Sequence, residues 1–75
     1  MDKKIIQTAS DVLGITLEEA QRYSKPIPDI NAMYFWKPVR GGKAMIINEN
    51  GEKLVAASAI SFDKHLQAFS DGRRN

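Results

Sequence analysis

The chain has 75 residues, 43% of them hydrophobic and 27% charged, with a net charge of +2. That is one globular domain's worth of chain, too apolar for disorder throughout and too weakly charged to fix a class of partner. It contains no cysteine, which excludes thiol nucleophiles and cysteine-ligated zinc and favours a reducing, cytoplasmic setting.

The first helix is expected from about Lys3 to Leu13, where Ile5, Ile6, Ala9, Val12 and Leu13 fall on one helical stripe. Asp2 is placed to cap its start and Gly14 to end it. The opening Met1-Asp2-Lys3-Lys4 leads into Ile5-Ile6-Gln7-Thr8 without the apolar core of a signal peptide. No apolar run approaches the roughly 20 residues that cross a membrane. Thr16 followed by Glu19 has the form of a capping box and begins a second, short helix with Leu17, Ala20 and Tyr23 on one face. Pro26 forces that helix to stop, because the residue before a proline resists the α region. Lys25-Pro26-Ile27-Pro28-Asp29 reads as a stiff extended connector.

Ala32 to Lys37 is aromatic-rich and reads as the first strand, with Pro38 at its end. Arg40-Gly41-Gly42 is a turn, and Lys43 to Asn48 the second strand. Asn50-Gly51 signals a type I′ hairpin, which needs positive φ at both positions. The third strand runs from about Glu52 to Ala59, with Ala56, Ala57, Ser58 and Ala59 leaving room for a helix. Ser61 caps a last helix whose buried stripe is Phe62, Leu66 and Phe69, with Asp63 in its first turn and Gly72 at its end.

The expected fold is therefore α+β, ordered ααβββα, a three-stranded antiparallel meander with helices packed on one face. It forms a single domain over 1–75: a helical pair at 1–24, a proline-containing connector at 25–31, the meander at 32–59, the last helix at 61–71 and a frayed tail at 72–75. A domain this small buries only about 60% of its unfolded surface, so self-association would strengthen a thin core.

Residues that carry chemistry elsewhere are sparse here. His65 is the sole histidine, and it sits at the margin of the last helix's apolar stripe, where a boundary role is expected. Asp63, two residues away, does not share its helix face. Glu18-Glu19 and the Glu49/Glu52 pair lie at a helix start and a hairpin turn, ordinary places for solvated carboxylates. No catalytic residue, metal ligand or cofactor is expected. Val39-Arg40-Gly41-Gly42-Lys43 is cationic and glycine-containing, but a strand follows where a phosphate loop requires a helix.

Charge is unevenly spread. Residues 22–43 hold five cations (Arg22, Lys25, Lys37, Arg40, Lys43) against Asp29, while the flanking segments 1–21 and 44–71 are each net −2. The positive stretch includes most of the aromatics. Tyr34, Trp36, Lys37, Arg40 and Lys43 therefore form the candidate binding group. Strand alternation puts Tyr34 and Trp36 on one face and Met33 and Phe35 on the other; one face must meet the core, and Tyr34 and Trp36 are plain core residues if it is theirs, with Phe35 half covered. An outward Tyr34 and Trp36 would anchor a protein interface, or stack on nucleobases while Lys37, Arg40 and Lys43 hold phosphates.

Ser10 to Tyr23 resembles a helix-turn-helix over 14 residues, with Gly14 at the turn. Glu18-Glu19 at the start of its second helix would repel DNA phosphates, so a plain αα-corner is expected instead. The expected function is that of a non-enzymatic interaction or accessory module, with protein as partner (a second copy of itself included) and no membrane role. Single-stranded nucleic-acid binding is the alternative.

Overall fold

The computed structural model describes residues 3–39, 41–57 and 59–74. Its elements are α1 (Lys3–Leu13), α2 (Leu17–Arg22), β1 (Ser24–Ile27), a 3₁₀ turn (Pro28–Ile30), β2 (Ala32–Trp36), β3 (Lys43–Asn48), β4 (Lys53–Ala57) and α3 (Phe62–Ser70). The four strands form one antiparallel meander in the order β1-β2-β3-β4. The fold is thus α+β, with four strands and three α-helices among the described residues.

The helices begin and end where local chemistry directs. Gly14 adopts φ +68, and the amides of Gly14 and Ile15 both return to the Ser10 carbonyl, closing α1. The expected cap at Asp2 lies outside the described residues. The Thr16 hydroxyl accepts from the Glu19 amide, and the Glu19 carboxylate accepts from the Thr16 amide, each at 3.0 Å, a complete capping box for α2. Ser61 caps α3 by accepting from the Lys64 amide at 3.3 Å.

Four features of the sequence reading are corrected. The segment expected as a connector is partly a strand: Ser24–Ile27 pairs with β2 in the register Ser24↔Phe35, Lys25↔Tyr34, Pro26↔Met33, Ile27↔Ala32. Pro26 is admissible because β1 is an edge strand, where a missing N–H leaves no gap in a ladder. Asn31, in the left-handed conformation at φ 50, then turns the chain into β2.

The helices also do not share one face. Ile6, Ala9 and Leu13 of α1 and Ala20 of α2 pack with Phe35, Met45 and Ile47. Phe69 of α3, with Phe62 and Leu66 beside it, packs with Ala32 and Ile46 on the other side. Residues 44–47 of β3 are accordingly all buried. Fully burying a side chain the size of Phe35 or Met45 stabilises by about 1.5–3 kcal/mol, and the sheet collects such contributions on both faces.

The β3–β4 turn is the third correction. Positive φ falls on Gly51 alone (φ +86), not on Asn50 as a type I′ turn demands. The Gly51 amide donates to the Asn48 carbonyl at 3.1 Å, and the Asn48 amide to the Glu52 carbonyl at 3.0 Å. That is a three-residue loop, a type I turn followed by a left-handed glycine. The Asn48 side-chain oxygen accepts from the Asn50 and Glu52 amides, both at 3.0 Å, and so holds the loop in this form.

The tail is tied as far as Arg74, contrary to the expected fraying. Its guanidinium carbon lies 3.8 Å from the Phe69 ring centroid, and Nη1 donates to the Phe69 carbonyl at 2.6 Å.

A candidate aromatic interaction groove

The two helical layers leave different parts of the sheet uncovered. The α1/α2 layer draws on β2 and β3. The α3 layer lies over β3 and β4 and reaches Ile27 and Ala32 at one end of β1 and β2. Towards the other end, on the same face, Lys25, Tyr34, Trp36 and Phe62 wall an open groove of about 350 Å³.

Strand register builds this groove. Lys25 stands directly across from Tyr34 on the same face. Trp36 lies past the end of β1, where its amide donates to the Tyr23 carbonyl at 3.2 Å. Tyr34 and Trp36 stack with centroids 5.7 Å apart and 28° between planes. Phe62, in the first turn of α3, meets Tyr34 edge-on at 4.8 Å. Tyr23 tilts against Trp36 at 6.1 Å. The Lys25 ammonium lies 4.5 Å above the Phe62 ring, a cation–π contact. Tyr34, Trp36 and Phe62 are each half-buried. Burial pushes the Tyr34 hydroxyl above its ordinary value of 10.0. The Trp36 indole N–H and the Tyr34 hydroxyl have no hydrogen-bond partner among the described residues.

His65 lies behind Tyr34, its ring edge-on at 5.9 Å. It is 1% exposed, so the boundary role expected for it is corrected to a core position. Its Nε2 lies 2.8 Å from the Leu54 carbonyl and must carry a proton to donate there; Nδ1 is buried without a partner. Among the described residues no group of three or more His, Asp or Glu is placed to hold a metal. None of their helices is long and apolar enough to cross a membrane.

The five residues of the sequence-derived binding group do not form one patch. Tyr34 and Trp36 line the groove. Lys37 reaches the opposite face, where its ammonium comes within 3.8 Å of the place a Gly14 side chain would occupy. Lys43 also lies on the α1 side and borders a separate groove of about 510 Å³ with Val12, Gly42, Val55 and Ala57. Arg40 lies outside the described residues. What the sequence reading missed is Tyr23, Lys25 and Phe62. Lys25 becomes visible only once Ser24–Ile27 is read as a strand, and Phe62 only once α3 is placed on the Tyr34 face.

Ser10 to Tyr23 folds as an αα-corner, with Ala20 of the six-residue α2 buried against the sheet. Compared with protein-family models, curated proteins and solved structures, the chain matches none.

Proposed function

We propose that this domain is a small, non-enzymatic protein-interaction module and that its contact surface is the groove of Lys25, Tyr34, Trp36 and Phe62. The observation that carries the reading is the concentration of three half-buried aromatic rings and one cation around an open groove. Large aromatics that are neither sealed in a core nor scattered singly are the side chains that dominate binding hot spots. The lack of cysteine supports a cytoplasmic setting.

Single-stranded nucleic-acid binding is less well supported. It needs cations alongside the stacking rings, and Lys37 and Lys43 are on the far side of the sheet. Obligate self-association likewise has less support. The accessible surface is 4842 Å², close to the roughly 4,600 Å² typical of a folded monomer of this mass.

The test is affinity capture from lysate with the wild-type domain and with Trp36→Ala and Lys25→Glu variants, each first shown to be folded by circular dichroism. Partners retained by the wild type and lost from both variants, with nuclease making no difference, are the expected result. Equal recovery by all three baits would refute the groove as the contact surface. Loss of the captured material on nuclease treatment would move the reading to nucleic acid.

A further inference from the structure

We propose that the groove takes a proline-rich protein segment in the polyproline II conformation, bearing an acidic residue that meets Lys25. This rests on the groove being the contact surface, and it adds the shape and charge of the occupant. Four observations point to it. Tyr34 and Trp36 present stacked rings 5.7 Å apart, close to the roughly 6.2 Å between alternate residues of a polyproline II helix. Such a helix forms no internal hydrogen bonds, so its carbonyls are free acceptors. The Trp36 indole N–H and the Tyr34 hydroxyl are two unpaired donors on the same groove. Aromatic-lined grooves with polar tips suit this ligand because a preformed helix loses little entropy on docking.

The remaining two observations select against other occupants. The sheet edge beside the groove is β1, whose Pro26 has no N–H, so an added β-strand would lose a ladder bond there. A polyproline II segment needs no such ladder. The Lys25 ammonium over the Phe62 ring already occupies the cation–π position and repels a cationic ligand. It gives an acidic residue an opposite charge to pair with.

The experiment is a titration of the ¹⁵N-labelled protein with a short synthetic peptide of Pro-Pro-Glu repeats. A Gly-Ser-Glu peptide of equal length and charge, a Pro-Pro-Lys peptide and a single-stranded RNA oligomer serve as the other arms. The Pro-Pro-Glu peptide is expected to shift the Trp36 indole resonance and the amides of Lys25, Tyr34 and Phe62, saturably, while the Gly-Ser-Glu peptide does not. Tyr34→Phe, which keeps the ring, weakens binding about 2- to 10-fold, the size of one neutral hydrogen bond. Lys25→Glu reverses the preference toward the Pro-Pro-Lys peptide. Equal response to the proline and glycine peptides, or shifts confined to other residues, overturns the proposal. If no proline peptide binds but lysate partners still depend on Trp36, the occupant is a protein of another shape, and only this inference falls. If RNA alone moves the groove resonances, both readings fall.

Discussion

Ile46 and Ile47 are neighbours in β3, and they give the clearest test of a sheet covered on both sides. Ile46 is 0% exposed beneath α3, and Ile47 is 1% exposed beneath α1. Replacing either with valine removes one buried methylene, worth about 0.8 kcal/mol by transfer, and measured Ile→Val changes in cores cost about 0.5–1.5 kcal/mol. Both residues are β-branched, so strand preference stays nearly constant and packing dominates the difference. Urea unfolding of a domain this small has a slope near 1 kcal/mol per molar, at the low end of the usual range. Each substitution should therefore lower the urea midpoint by about 0.5–1.5 M, with the slope unchanged. Successive residues of a strand face opposite ways, so a sheet covered on one side would leave one of these two in solvent. A midpoint left in place by either substitution would refute the two-sided packing.

Four further outcomes follow from local chemistry. Thr16→Ala removes half of the capping box that starts the six-residue α2 and should cost about 1 kcal/mol in thermal or urea unfolding. Gly42→Ala should destabilise through contact, since a Cβ there would stand 3.0 Å from the Lys37 and Val39 carbonyl oxygens; the expected sign is an additional shift of the β2–β3 loop amides in the NMR spectrum. Gly51→Ala meets nothing within 4 Å, and its cost is purely conformational, about 1–2 kcal/mol for a left-handed alanine. Because burial raises the Tyr34 pKa above 10.0, the unfolded chain loses that proton first. The stability linked to it is intact below about pH 10 and is lost as pH rises through the folded-state value. Tyr34→Phe should flatten that alkaline decline in urea midpoints.

Most element boundaries were legible because they depend on neighbours in sequence. The apolar stripe of Lys3–Leu13, the Thr16–Glu19 pair and the Ser61 cap all act within a few residues, and the structure has each where the pattern puts it. What escaped depends on partners distant in the chain. Pro26 and Pro28 argue locally against a strand, and only pairing with Ala32–Phe35 makes one of Ser24–Ile27. The two-sided sheet did leave a signal: Ala44-Met45-Ile46-Ile47 is a continuous apolar run, where a strand with one wet face would alternate. The candidate group was half legible. Alternation correctly kept Tyr34 with Trp36, but a charge sum over residues 22–43 cannot tell which side of a sheet each cation takes, and Lys37 and Lys43 took the other side.

The placement of α3 over Ile46 has a consequence for synthesis. On the ribosome, α1, α2 and the early strands emerge first and can seal their own side of the sheet. The side of Ala32, Ile46 and Leu54 must wait until Phe69 has been translated. At ordinary elongation rates that wait is on the order of seconds. During it, the residues that α3 covers in the finished fold have no helix to seal them.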